Sequence, residues 1–226
     1  MHDSGRKQEF LAAALELFYE KGYDKTTVND IVGRLNASKG AFYHYFKSKE
    51  DILREVVFCH IEEEITLSRK IAHNNQLSAG EKLTKIFNEV LMHQDSNIEK
   101  RKKLFIVFKD EGNVKFRRKI VENKIKMLRQ PYKIIIQQGI KEGIFDTCYP
   151  EEAAEQIINL LIILKMSVVG LSYNVEKNLD NIDIVNRKIE AYREAVERIL
   201  GAKGSLINTT QVAEYFKDQS MQNNSQ

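Results

Sequence analysis

Apolar side chains recur every three to four residues along almost the whole chain. Phe10, Ala14, Leu17 and Phe18 form one stripe, and Val28, Ile31, Val32 and Leu35 form a second. Ile52, Leu53, Val56 and Val57 begin a third, which runs on through Ile61 and Ile65. This is the period of an amphipathic helix. No extended alternation of the strand type competes with it, and no internal repeat of roughly 20–50 residues is visible. Two prolines and eleven glycines in 226 residues are few punctuators, which disfavours a turn-rich β-protein. The pattern predicts an all-α fold.

The first fifty residues carry dense helix punctuation. Lys21-Gly22-Tyr23 stops the first helix, with Gly22 suited to a left-handed cap. Thr27-Val28-Asn29-Asp30 fits a capping box. Leu35-Asn36-Ala37 breaks the second helix, and Ser38 can cap a third of about two turns. Ser48-Lys49-Glu50-Asp51 is another capping box, opening a long helix. Two short helices joined by a tight turn are the layout of a helix-turn-helix. Further on, Ser78 caps a helix to about Met92, and Asp95-Ser96-Asn97 precedes a helix from Ile98 to about Gly112. A long helix then stops at Lys141-Glu142-Gly143, with Pro131 expected to kink it. Pro150 opens a helix to about Tyr173. Asp180 or Asp183 starts the last long helix, ending at Gly201. The tail holds an amphipathic turn around Val212, Tyr215 and Phe216, and a polar end, Ser220 to Gln226, expected to fray.

Composition narrows the class. The apolar share, 42 %, can supply a core, so wholesale disorder is excluded. Cys59 and Cys148 lie far apart, which argues against a disulfide framework or a Cys-rich zinc site. His60, His73 and His93 are too scattered for a metal site. The N-terminus lacks the apolar core of a signal peptide, and the stretch Ile157 to Leu171 is too short and too polar for a membrane span. These features predict a cytoplasmic protein without metal or cofactor. The formal charge is +3, but residues 1–50 carry only +1 and residues 99–141 carry +10. That basic block reads first as a solvated face or as a partner of the acidic remainder, and second as a site for an anionic ligand.

The run Phe18-Tyr19-Glu20-Lys21-Gly22-Tyr23, then Thr26-Thr27-Val28, Ile31, and Ser38-Lys39-Gly40-Ala41-Phe42-Tyr43-His44-Tyr45-Phe46-Lys47-Ser48-Lys49-Glu50, resembles the TetR family of bacterial transcriptional regulators. The likeness covers about residues 8–56. Physical chemistry points the same way. Thr26 and Thr27 stand at a helix start, where unpaired backbone donors can meet phosphate. Ser38, Lys39 and Gly40 open the short helix that would enter the major groove, and Lys39 can donate to guanine. Gly40 permits close approach. Tyr43, His44 and Lys47 can reach backbone or base edges, and Lys49 can reach phosphate. The resemblance implies that Thr27, Tyr43 and Lys49 hold the DNA backbone, while Ser38, Lys39, Gly40 and His44 face the bases. Phe42, Tyr45 and Phe46 read instead as the small core behind that helix. Thr27 and Ser38 would cap helices with or without DNA.

The resemblance further implies a DNA-binding domain over residues 1–50 and a helical ligand-binding and dimerisation domain over 51–202. The tail over 203–226 is expected to hold one short helix and then disorder. The expected dimer interface uses Ile158, Ile162 and Val169 on one helix with Val185, Ile189, Tyr192, Val196 and Ile199 on the next. Candidate effector contacts are Phe87, Leu91, Met92, Phe105, Phe108, Met127, Ile134, Leu161, Lys165 and Met166, although each is also a natural core or interface position. The expected partners are a double-stranded operator, a second copy of the chain and an unidentified small molecule, with no membrane. The expected activity is a repressor released by its ligand. The rivals are a helical adaptor and an all-helical enzyme. No phosphate-binding glycine loop, nucleophile elbow or HExxH pair supports the enzyme.

Overall fold

The computed structural model describes residues 2–92, 114–172 and 180–223. The described helices are α1 (His2–Lys21), α2 (Val28–Arg34), α3 (Lys39–Tyr45), α4 (Lys49–Ala72) and α5 (Ala79–Met92), then α6 (Val114–Lys141), α7 (Pro150–Ser172), α8 (Asp180–Ile199) and α9 (Thr210–Asn223). No strand occurs among the described residues. They fall into two compact units. The first holds residues 2–63 and 114–123, and the second holds 64–92, 124–172 and 180–223.

In the first unit, α1 ends where Gly22 adopts φ +83° and its N–H donates to the Phe18 carbonyl. The capping box at α2 is complete. The Thr27 hydroxyl accepts from Asp30 N, and Thr27 N donates to the Asp30 carboxylate at 2.7 Å. Asn36 takes φ +47° and turns the chain between α2 and α3. At α4, Ser48 caps Asp51 N, whereas the Asp51 carboxylate reaches back one residue further than expected, to Lys47 N. The apolar stripes converge on one core: Phe10, Ala14, Leu17, Phe18, Ile31, Phe42, Phe46, Ile52 and Leu53 are all buried there.

The second unit is built around α7, whose Ala154, Ile157, Ile158, Leu161, Leu164 and Val168 are all buried. α8 packs along it through Val185, Ile189, Tyr192 and Val196. α6 continues through Pro131 as one element. α9 is a fourteen-residue helix docked on α5 and α8. Val212 and Ile207 are buried, Asn88 Nδ2 donates to Gln211 Oε1 at 3.0 Å, and the Thr209 hydroxyl donates to Glu190 at 2.6 Å. Glu197 accepts from the N–H groups of Leu206 and Ile207, which fixes the approach to α9. These polar anchors lie far apart in sequence, so the periodicity of the tail alone could not reveal them.

Gly201 closes α8 with φ +59°, and a Cβ there would lie 2.4 Å from the Asp146 carbonyl oxygen. Both the left-handed backbone and the close approach exclude a side chain. Gly201→Ala should therefore cost about 1–3 kcal/mol, read as a lowered Tm in a thermal melt. An unchanged Tm would contradict this account of the α8 terminus.

Candidate nucleic-acid interface

α3 is seven residues long, too short to persist alone in water. It is held at both ends and in the middle. Ser38 Oγ accepts from Ala41 N at 3.1 Å. Phe46 N donates to the Phe42 carbonyl at 2.9 Å. Between them, Phe42 is fully buried, edge-on to Phe10 at 5.9 Å between ring centroids and tilted against Phe46 at 5.4 Å. Such contacts add to the area term, about 0.5–1.5 kcal/mol per pair.

With Phe42 turned inward, the opposite side of α3 faces outward. Ser38, Lys39, Gly40, Tyr43 and His44 are all exposed, as is Lys47 just beyond the helix. Tyr43 is 55 % exposed, unusual for so large an aromatic. A Cβ added to Gly40 would meet only Ser38 Oγ, at 3.7 Å. The fold therefore places no demand on that glycine. Thr27 is exposed at the start of α2, beside the capping carboxylate of Asp30. Lys21 (2.7 Å away) and Thr27 together hold that carboxyl well below the usual range. The arrangement offers one lysine, one hydroxyl, a phenol and an imidazole on one short helix, with a second hydroxyl-bearing helix start nearby in sequence. This set can grip phosphate and read base edges.

Two of the expected contacts have partners within the protomer. Thr26 is fully buried, and its hydroxyl donates to the carbonyls of Gly22 at 2.7 Å and Leu17 at 3.2 Å. It fastens the end of α1. Lys49 also turns inward. Its ammonium donates to the Tyr23 carbonyl at 2.8 Å and to the Asp24 carbonyl at 3.3 Å, and lies 4.2 Å from the centre of the Tyr23 ring. Burial pushes its pKa down against the pull of Asp24 and Glu50. In this structure Lys49 is a clasp between α4 and the loop before α2.

The expected dimer residues are mostly covered within the single chain. Ile158, Ile162, Val185, Ile189, Tyr192 and Val196 are buried within their own protomer, so their apolar surface is already covered. Ile199 is half-buried, and the Val169 side chain lies outside the described residues. The large apolar side chains exposed on these two helices are Ile163, at 61 %, and Ile184. Helical periodicity identifies a buried face but not what buries it.

Of the candidate effector contacts, Phe87, Leu91 and Leu161 are core, and Phe87 stacks on Tyr192 at 5.1 Å. Met92, Met127, Ile134 and Met166 are half-buried, while Phe105 and Phe108 lie outside the described residues. Lys165 lies 3.6 Å from the Glu64 carboxylate, which also accepts from Lys124 at 2.9 Å. Glu64 was hidden in sequence by the run Glu62-Glu63-Glu64, which reads as a solvated acidic face. Burial pushes its carboxyl up, but the two lysines outweigh burial and hold it below the usual range. Among the described residues no group of His, Cys, Asp and Glu could hold a metal ion, and no helix is long and apolar enough to cross a membrane.

Comparison with known proteins agrees with this geometry. Residues 10–56 match the family described as bacterial regulatory proteins of the tetR family, and residues 84–195 match a tetracyclin repressor-like C-terminal domain. The chain is 30 % identical over 147 residues to the HTH-type transcriptional repressor KstR2 of Mycolicibacterium smegmatis, covering 63 % of this chain and 68 % of that protein. It is 34 % identical over 93 residues to the uncharacterized HTH-type regulator YuxN of Bacillus subtilis, covering 40 % of this chain but only 32 % of that protein. Among solved structures, a TetR-family regulator from Syntrophomonas wolfei superposes with TM-score 0.65 at 21 % identity, covering 85 % of this chain and 95 % of that one. A SmeT–triclosan complex superposes with TM-score 0.67 at 15 % identity, covering 90 % and 95 %. At these identities the superpositions establish the fold.

Reassigning Thr26 yields a direct test. Thr26→Val keeps the shape but leaves two buried carbonyls with one donor fewer. It should cost about 1–2 kcal/mol of stability, with DNA affinity of the folded protein unchanged. A variant of wild-type stability that has lost DNA binding would restore Thr26 to the interface.

Proposed function

The chain belongs to the TetR family of bacterial regulatory proteins, and from that premise we propose that it is a homodimeric repressor whose operator grip is relieved by a small ligand. Each protomer lays α3 in the major groove of one half of a pseudo-palindromic site. Lys39 and Ser38 read base edges, while Tyr43, Thr27 and Lys47 hold the backbone. His44 reaches the adjacent base or phosphate. The partners are operator DNA, a second copy and an effector in the helical second unit, and the place of action is the cytoplasm. The exposed pair Ile163 and Ile184 belongs to the surface that meets the second copy, since α7 and α8 have already used their other apolar faces.

One observation carries the reading: α3 keeps a glycine that its own fold does not require, between a lysine and an exposed tyrosine. Glycine in a helix costs roughly 0.5–1 kcal/mol relative to alanine. A duplex approaching α3 closely would account for a glycine there. A ligand acts by favouring a domain arrangement that no longer fits both half-sites, and α4, which runs from the first unit into the second, is the element through which it would do so.

The test is an anisotropy titration of the full chain against duplex DNA from upstream of its own gene, at two salt concentrations. Saturable binding that survives competitor DNA, with one dimer per palindrome, is expected. Gly40→Ala should raise the Tm slightly yet weaken operator binding at least about tenfold, and Lys39→Ala should weaken it to a similar degree. Low-mass extract from the source cells should release the complex. Binding that only follows salt and ignores sequence, equal in wild type and Gly40→Ala, would refute the DNA interface.

A further inference from the structure

Polar atoms inside a folded core are almost always paired. In the second unit two on the same face of α4 are not. Glu64 has a side chain nine-tenths buried, and its Oε1 has no hydrogen-bond partner among the described residues. Ser68, fully buried and one turn further along, has an unpartnered Oγ. Residues four apart on a helix are neighbours. The other carboxylate oxygen, Oε2, is held by Lys124 and Lys165. Tyr132 and Tyr192 are buried within electrostatic reach of Glu64, and Tyr192 carries the stacked Phe87 ring. All of these residues belong to the second unit.

The chemistry of the two orphaned atoms selects a partner. Glu64 Oε1 can only accept, so it needs a donor. The Ser68 hydroxyl has a proton to give, so it needs an acceptor. A single hydroxyl group supplies both. A cationic amine would meet two lysines against one carboxylate, a net repulsion. A carboxylate ligand would leave Glu64 Oε1 facing another anion. The buried rings of Tyr132 and Tyr192 near Glu64 suit an apolar body.

We propose that the effector is a neutral, largely apolar molecule bearing a hydroxyl, a phenol or an alcohol, bound with that hydroxyl between Glu64 Oε1 and Ser68 Oγ. This rests on the reading of the second unit as an effector domain, and it assigns that effector's recognition to two residues of α4. Hydroxyl binding there acts directly on the helix that continues into the DNA-binding unit.

The test uses the full-length dimer and three probes that share one ring system: β-naphthol, naphthalene and β-naphthoate, titrated by calorimetry. β-Naphthol should bind at least about tenfold more tightly than naphthalene, because a site built around hydrogen bonds penalises the analogue that lacks them. Ser68→Ala should weaken β-naphthol binding roughly tenfold while raising the Tm of the unliganded protein by a few degrees, since it removes an unpaired buried hydroxyl. That opposition of sign separates a binding role from a structural one. Glu64→Gln should also weaken binding, and Ser68→Ala keeps the test decisive if the buried lysines prevent that variant from folding. Equal affinity for β-naphthol and naphthalene would overturn the proposal. So would unaltered β-naphthol binding in Ser68→Ala, or a lowered Tm in that variant without ligand, the sign of a resident water. Tighter binding of β-naphthoate would overturn it while leaving the effector domain in place. If no probe binds, the proposal falls, and the effector reading falls with it only if low-mass cell extract also fails to release the operator complex.

Discussion

The burial of Phe42 against Phe10 and Phe46 is the contact on which the DNA-binding unit depends. A seven-residue helix has no stability of its own, and Phe42 is the only residue of α3 that is fully in the core. Everything that faces outward on α3 faces outward because Phe42 faces inward. The ring of Phe10 comes from α1, Ile31 and Val32 from α2, Phe46 from just beyond α3, and Ile52 and Leu53 from α4, so all four helices contribute to the core that holds Phe42. The polar clasps tighten the same assembly. Thr26 fastens the end of α1, Asp30 caps α2, and Lys49 ties α4 to the loop between α1 and α2. The polar side of α3 is thus backed by a packed aromatic core.

The second unit solves a different problem. Its helices are long and bury apolar faces on several sides, yet its interior also contains charge. Glu64, Lys124 and Lys165 form a partly sealed triad beside two buried tyrosines. Lys82 is buried as well, with its ammonium donating to the Ala72 carbonyl and to Gln138. Apolar packing alone would be simpler and at least as stable. Lys82 has two hydrogen-bond partners and ties α5 to the end of α4 and to α6, a structural task. Glu64 differs in having one oxygen without a hydrogen-bond partner among the described residues.

The sequence made the architecture legible where local chemistry decides structure. Gly22, Thr27, Asn36, Ser38 and Pro150 each stand where a terminus or turn needs that residue type, and the helices begin and end accordingly. The outward side of α3 was legible too, because Phe42 and the polar residues around it sort by helical period. The internal partners of Thr26 and Lys49 were not legible for one shared reason: a hydroxyl or ammonium that can reach phosphate can equally reach a nearby carbonyl, and only three-dimensional proximity chooses. The α7 and α8 stripes show the same limit at larger scale. Val185 and Ile189 were correctly apolar-facing, but they pack within the protomer. Glu64, inside a run of three glutamates, gave no local signal, since its partners come from α6 and α7.

The most direct measurement of the central claim is methylation interference on an operator fragment bound to the intact dimer. Methyl groups placed on guanine N7 lie in the major groove, where α3 is assigned. The account predicts two symmetric clusters of interfering guanines about one helical turn or more apart, with the interference at one guanine of each cluster abolished in Lys39→Ala. A footprint without major-groove interference, or one indifferent to Lys39, would contradict it and move the DNA contact off α3.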